Sequence, residues 1–159
     1  GLSKWKLVMA VSVNSEDNLE FEKLKESIKD YPIEFHINKS NEDLWELYSK
    51  AKIYWHASGY GEDLDKNPEL AEHFGISTVE AMGAGAVPVV INAGGQKEIV
   101  TDGVNGFFWN TIPELIEVTL ILTNSKDELG LQSEHAKKRA KFFSVENFKK
   151  QILEMVDSA

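Results

Sequence analysis

A short run of mostly β-branched residues, Val87-Pro88-Val89-Val90-Ile91, does most to limit how this chain can fold. Alternate residues of a strand point to opposite faces, and this run would place no polar residue on either face. Such a run is typical of a parallel strand that is buried on both faces and covered by helices. The run therefore predicts an α/β fold.

The residues before this strand predict a helix that enters it through a glycine turn. Phe74 and Gly75 bring the chain to the helix start, and Ser77-Thr78-Val79-Glu80 has the form of a capping box. Apolar residues then recur at helical spacing, and glycines end the helix. The apolar residues are Val79, Met82 and Ala86, and the glycines are Gly83 and Gly85.

A second glycine pair follows the buried strand. Gly94-Gly95 turns the chain where the strand ends, and a second short strand is expected after this turn. Open α/β sheets keep their ligands at the carboxyl ends of their strands. We therefore expect a functional site on the loops around residues 72–106.

Strand and helix patterns alternate through the rest of the chain. This alternation predicts a parallel sheet with right-handed crossovers, in one Rossmann-like, three-layer domain over residues 1–159. The expected strands are residues 5–13, 33–37, 53–55 and 107–109; the expected helices are residues 19–30, 40–51, 113–121, 129–140 and 144–156.

Composition limits the function. The 159 residues include no cysteine and carry a formal charge of −9, which argues against nucleic acid as a partner. No apolar run approaches the roughly 20 residues of a transmembrane helix, and no signal peptide opens the chain. These features are typical of a cytoplasmic protein, with peripheral association at a membrane left open for a longer parent protein. An anionic ligand would need a local positive site, and the helix start at residues 73–78 offers one through its backbone amides.

The whole string from Glu72 to Gly106 resembles the donor-binding half of the family 4 retaining glycosyltransferases. These enzymes have the GT-B architecture of two facing Rossmann-like domains, so the resemblance implies the C-terminal half of such an enzyme. The matching motifs are the glutamates Glu72 and Glu80, His73-Phe74-Gly75-Ile76, Glu80-Ala81-Met82 leading to Gly85 and Pro88-Val89, Gly94-Gly95, Glu98-Ile99-Val100 and Asp102-Gly103-Val104-Asn105-Gly106.

The resemblance implies a role for each glutamate. Glu72 would act at the sugar end as the catalytic residue, binding sugar hydroxyls and stabilising positive charge at the anomeric carbon. Glu80 would accept hydrogen bonds from the ribose hydroxyls. Simpler alternatives are an exposed loop acid for Glu72 and closure of the capping box with Ser77 for Glu80.

The resemblance also implies how the rest of the donor is bound. The segment containing His73, Phe74, Gly75, Ile76, Ser77 and Thr78 would lie against the diphosphate and the sugar, mainly through backbone amides. Phe74 is expected to act as a packing anchor. Asn38, after the second strand, matches the place where the nucleobase is read through backbone groups.

The expected ligand is a nucleotide diphosphate sugar, with no metal and no other cofactor. Trp55-His56 and the long acidic loop before Glu72 resemble the mannosyltransferases of lipid-linked glycan assembly. Family members place a first strand, a basic pair and an acceptor-binding domain before this half, so we expect these parts upstream in a parent chain. The fragment alone is expected to be inactive.

Two alternative interpretations of the chain remain open at this point. The chain could be a non-catalytic nucleotide- or partner-binding module of the same fold, or an epimerase-like domain, although the string from Glu72 to Glu80 argues against the latter. Asp63-Leu64-Asp65 has the form of the manganese motif of a different glycosyltransferase fold, and it is interpreted here as part of an acidic loop. The three histidines His36, His56 and His135 have no partner at metal-ligand spacing and are interpreted as ordinary histidines.

Overall fold

Strands and helices alternate as the sequence predicts. The structure, a computed structural model, describes residue 2 and residues 4–157. Its elements are β1 (Leu7–Val11), α1 (Asn18–Ser27), β2 (Ile33–Ile37), α2 (Asn41–Lys50), β3 (Ile53–His56), α3 (Ile76–Ala84), β4 (Val87–Ile91), α4 (Gln96–Ile99), β5 (Phe107–Trp109), α5 (Ile112–Asn124), α6 (Lys126–Ala140) and α7 (Val145–Asp157). Short 3₁₀ turns occupy Pro68–Leu70 and Lys141–Phe143.

The chain divides into two compact units, residues 1–47 and 48–159. In the first unit, β1 and β2 pair in parallel, with Leu7 opposite Ile33. Phe21 of α1 is buried and packs edge-on against Phe35, with ring centroids 5.2 Å apart. That the whole chain acts as one nucleotide-sugar-binding domain stays a prediction.

The second unit is built around β4, which lies between β3 and β5 in a parallel three-stranded sheet. Every residue of β4 is buried, as its composition predicts. Val90 packs on one face with Met82 of α3 and Ala136 of α6, while Val89 packs on the other face with Leu122 of α5. Because each fully buried Val or Leu contributes about 1.5–3 kcal/mol, these two layers supply most of the stability of the sheet.

The predicted capping box at the start of α3 is wrong. The residue that caps the helix is Gly75, whose φ of 101° is left-handed, and no side chain caps the helix. Ser77 is therefore the second residue of the helix and Glu80 the fifth, so neither occupies its position in a capping box. The helix continues through Gly83 and ends at Gly85, whose φ of 99° is also left-handed, and Ala86 lies beyond it.

The expected short strand after Gly94-Gly95 is also wrong, because Gln96–Ile99 forms the one-turn helix α4. Ile99 is buried against the α3 side of the sheet, where it packs with Met82 and Val90. A one-turn helix brings the Ile99 side chain back to that core, whereas an extended strand would place Ile99 beyond the core.

Helix α6 holds the segment that follows α4. Gln132 donates from Nε2 to the carbonyl of Gly103 (2.9 Å), and His135 donates from Nδ1 to the carbonyl of Val104 (2.8 Å). Arg139 donates from Nε to the carbonyl of Ile99 (3.0 Å). These side chains lie on one helix face because they are three and four residues apart. The Asp102–Gly106 motif thus has a structural role, because side chains of α6 hydrogen-bond to its backbone.

Gly95 allows the two loops at the carboxyl end of β4 to meet. Its amide donates to the carbonyl of Glu72 (2.8 Å). A Cβ added at Gly95 would lie 2.4 Å from the carbonyl oxygen of His73 and 2.5 Å from the Cα of Phe74. The φ of Gly95 is −64°, so only this steric contact, and not backbone conformation, requires glycine.

Replacing Gly95 by alanine should therefore destabilise the chain. Overpacking against backbone atoms typically costs about 1–3 kcal/mol, and we expect Gly95→Ala to lower the free energy of unfolding by at least the lower figure. Urea denaturation followed by circular dichroism measures the change.

Gly130→Ala is the matched control. Gly130 is an exposed residue of α6, and a Cβ added there would have no other atom within 4 Å. Alanine should stabilise that helix by about 0.5–1 kcal/mol. Equal effects of the two substitutions would contradict a steric role for Gly95.

Candidate functional site

The start of α3 presents backbone amides that the fold does not use. Within residues 4–157, the amides of Phe74, Gly75, Ile76 and Ser77 donate no hydrogen bond. The first amides that bond within the turn are those of Thr78 and Val79, which both donate to the carbonyl of Gly75 (3.0 and 3.2 Å). Unpaired amides and the positive end of the helix dipole together make an anion-binding geometry.

Gly75 needs to be glycine for two reasons. Its positive φ is unfavourable for other residues, and a Cβ would lie 2.8 Å from Nε2 of Gln96. Gln96 is fully buried at the start of α4. The two short helices thus meet at Gly75, which keeps the backbone there free of a side chain.

The residues beside Gly75 divide into packed and exposed side chains. The ring of Phe74 packs against that of Phe143 with centroids 5.5 Å apart, as expected of a packing anchor. The guanidinium of Arg139 lies 4.8 Å from the centroid of the same Phe143 ring. The side chains of His73 and Ile76 are exposed. Phe74 therefore secures a loop whose neighbouring side chains face solvent.

Glu72 is paired with a histidine that sequence analysis treated as an ordinary one. Nε2 of His56 lies 3.1 Å from Oε2 of Glu72. The His56 side chain is 9% exposed and that of Glu72 is 30% exposed. Strand alternation puts Tyr54 and His56 on one face of β3, and Trp55 bonds from the opposite face to Thr119. Strand alternation could have predicted which face of β3 His56 occupies. It could not have predicted the partner of His56, which lies in a loop sixteen residues away.

Two tyrosines lie near Glu80. The Tyr54 hydroxyl donates to Oγ of Ser77 (2.8 Å). Burial raises the pKa of Tyr54, its hydrogen bond with Ser77 opposes that shift, and the charges of Glu72 and Glu80 add to it. Burial also raises the pKa of Tyr48 to about 12, with smaller contributions from Tyr54 and Glu80. Both hydroxyls are therefore neutral at physiological pH.

The carboxylate of Glu80 is half-buried and available. In the described part of the chain, no side chain or amide makes a hydrogen bond or ion pair with it. Ser77, the partner that a capping box would give it, interacts with Tyr54 instead. The side chain of Thr78 is fully buried, so Thr78 can contribute only backbone groups to a site at the helix start.

Asn38 lies in the first unit, at the end of β2. Its φ of 48° is left-handed, and its side chain bonds the backbone of Val13 in both directions (2.9 and 3.0 Å). The side chain is thus used to join the ends of two strands. A role for its backbone in reading a nucleobase stays a prediction.

The acidic loop contains an internal ion pair. Asp63 accepts from Lys66 Nζ at 2.6 Å. Across residues 4–157 no group of three His, Asp or Glu side chains could hold a metal ion, and no helix is long and apolar enough to cross a membrane.

Residues 2–117 match the protein family described as glycosyl transferases group 1. The chain belongs to this family. A relative from Dictyostelium discoideum, a GDP-Man:Man(3)GlcNAc(2)-PP-Dol alpha-1,2-mannosyltransferase, is 32% identical over 131 residues. The match covers 82% of this chain and 24% of that protein, so the chain spans about a quarter of this relative's length.

Solved structures agree with this family assignment in fold. HepE of Anabaena in complex with UDP superposes with a TM-score of 0.80 at 22% identity, over 99% of this chain and 42% of that one. The C-terminal domain of the group 1 glycosyl transferase LpcC from Francisella tularensis superposes with a TM-score of 0.71 at 20% identity, over 89% of this chain and 71% of that one. The predicted α/β fold of a glycosyltransferase C-terminal domain is confirmed.

The Tyr54–Ser77 hydrogen bond should contribute measurably to the stability of this glycosyltransferase domain. Tyr54→Phe removes one buried hydrogen bond, which typically contributes about 0.5–1.5 kcal/mol. Thermal denaturation should show a lower melting temperature, whereas Tyr31→Phe, at an exposed tyrosine, should leave it unchanged. Equal melting temperatures for all three proteins would mean that the bond contributes nothing.

Proposed function

We propose that this chain binds a nucleotide diphosphate sugar as the donor domain of a retaining glycosyltransferase. The observation that carries the proposal is the set of four unpaired amides at residues 74–77, which lies between Glu72 and Glu80 in the sequence. Family membership and the fold of the UDP-bound HepE structure support it.

The diphosphate would be held by the helix start. The chain has a net charge of −9, so its overall field repels an anion. The four unpaired amides and the dipole of α3 act locally, and each hydrogen bond to a charged group contributes about 1.5–3 kcal/mol. Local hydrogen bonding can therefore outweigh the unfavourable field, which salt screens over about 10 Å.

Glu80 would bind the ribose. A carboxylate has two oxygens that can accept from two vicinal hydroxyls with charge-assisted bonds. The competing structural role in a capping box does not exist, since Gly75 caps the helix. Tyr48 and Tyr54 have raised pKa values, so they stay neutral near Glu80 and add no negative charge there.

Glu72 would act at the sugar. A fixed carboxylate there can accept from sugar hydroxyls and stabilise the positive charge that develops at the anomeric carbon when the diphosphate leaves. We do not assign it as a covalent nucleophile, because double displacement requires a second carboxylic acid across the bond.

The complete reaction requires parts of a parent enzyme. We propose that an N-terminal acceptor domain completes a GT-B cleft, that the protein is cytoplasmic or peripheral at a membrane, and that no metal takes part. Similarity to the mannosyltransferase of Dictyostelium supports a hexose donor and leaves GDP and UDP as the nucleotides to test. This chain alone should transfer no sugar to any acceptor.

Substituting Glu80 tests the ribose assignment. Isothermal calorimetry with UDP and GDP should give weak binding to the wild-type chain, with a dissociation constant of roughly 0.1–1 mM. Glu80→Gln should weaken the better nucleotide severalfold, because loss of a charged acceptor costs about 1–3 kcal/mol. The melting temperature should stay unchanged, since Glu80 caps nothing.

Glu117→Gln is the matched control, because Glu117 is an exposed helical glutamate on α5. It should leave both binding and melting unchanged. The 2′-deoxy nucleotide should bind the wild type less tightly, and Glu80→Gln should reduce that preference. Normal nucleotide binding by Glu80→Gln would overturn the ribose assignment, and absence of binding by the wild type would overturn the proposed function.

A further inference from the structure

We propose that His56 is a positioning residue that holds the Glu72 carboxylate in the orientation needed to bind the donor sugar. This inference rests on the proposed function and adds a residue to its sugar end. Nε2 of His56 lies 3.1 Å from Oε2 of Glu72, within hydrogen-bond distance. The other carboxylate oxygen, Oε1, has no hydrogen-bond partner within residues 4–157. One oxygen is thus held by the protein and the other is left for a ligand.

The surroundings of the His56 ring show which of its nitrogens carries the proton that Glu72 accepts. Nε2 faces a carboxylate oxygen and must carry a proton to form a hydrogen bond with it. Nδ1 is buried and has no hydrogen-bond partner in the described part of the chain. A proton on Nδ1 would be a buried donor without an acceptor, which is costly. The geometry therefore places a proton on Nε2, which donates to Glu72.

The position of the ring in the fold makes it a rigid support. His56 is the last residue of β3, which pairs in parallel with the fully buried β4, and His56 is opposite Val90. The Tyr54 ring lies beside it with centroids 6.5 Å apart. Glu72, by contrast, is in a loop and is more exposed than the ring. A side chain on a strand end therefore restrains a carboxylate on a loop.

The effect should be confined to the sugar. The diphosphate is assigned to the α3 amides and the ribose to Glu80, and His56 contacts neither group. Loss of His56 should leave the nucleotide diphosphate bound as before and weaken only the additional contacts made by the attached sugar.

Calorimetry on two variants tests this separation. The ligands are UDP-glucose with UDP and GDP-mannose with GDP, and the pair that binds the wild type more tightly is used. His56→Leu removes the donor and should weaken the nucleotide sugar about fivefold to tenfold, with the diphosphate changed less than about twofold. His56→Gln retains an amide donor and should recover most of the lost affinity.

His36→Leu is the matched control. His36 lies on β2 in the first unit, and its Nε2 is 2.6 Å from Oε1 of Glu34. It is a histidine–glutamate pair of the same type outside the proposed site, so its loss should change neither ligand. Thermal melting identifies any variant that is unfolded.

Nitrogen NMR of the imidazole tests the pairing without a nucleotide. In wild type at neutral pH, the ¹⁵N shifts of His56 should show a proton on Nε2, and Glu72→Ala should change the Nε2 shift because the hydrogen bond is lost. A wild-type ring protonated on Nδ1 and not on Nε2 would overturn the inference. So would equal weakening of diphosphate and nucleotide sugar by His56→Leu, or no weakening of either. A wild type that binds neither pair would overturn the proposed function and the sugar-directed role of His56, whereas the pairing with Glu72 would still be decided by the NMR result.

Discussion

The close packing of Gly94-Gly95 against the loop at residues 72–74 is the contact on which the candidate site depends. The amide of Gly95 donates to the carbonyl of Glu72, and neither glycine has room for a Cβ. This contact joins the carboxyl end of the buried strand β4 to the loop that enters α3. Glu72 lies within hydrogen-bond distance of His56 at the end of β3, and the first amides of α3 have no partner within residues 4–157. The glycines therefore shape the loop, and the protein groups proposed to bind a ligand belong to the loop itself.

The proposed site would resolve the conflict between an acidic chain and an anionic ligand by local hydrogen bonding. Within the second unit, Glu72 precedes the positive end of the short helix α3 and Glu80 follows it in the chain, so a ligand with hydroxyl groups at both ends and negative charge in the middle would suit these groups. A nucleotide sugar has this arrangement, with ribose and hexose hydroxyls on either side of a diphosphate. The same arrangement would repel a simple dicarboxylate or a nucleic acid.

Sequence reasoning recovered those features that depend on local pattern. The buried strand, the parallel order and most helices follow from hydrophobic periodicity, and the glycine at the end of α3 follows from chain geometry. The capping box failed because Gly75 starts the helix two residues before Ser77, and α4 was missed because tertiary packing of Ile99 decides it. His56 was missed for a related reason. Its partner is distant in sequence, and only the fold brings the two together.

The most direct test of the central claim is a titration of the ¹⁵N-labelled chain with UDP and with GDP, followed by two-dimensional NMR. We expect the largest shift changes at the amides of Phe74, Gly75, Ile76 and Ser77, because these donors gain phosphate acceptors. The claim would be contradicted if the four amide signals did not shift while saturable changes appeared elsewhere, for example on the exposed apolar face of α5 around Ile116 and Leu120.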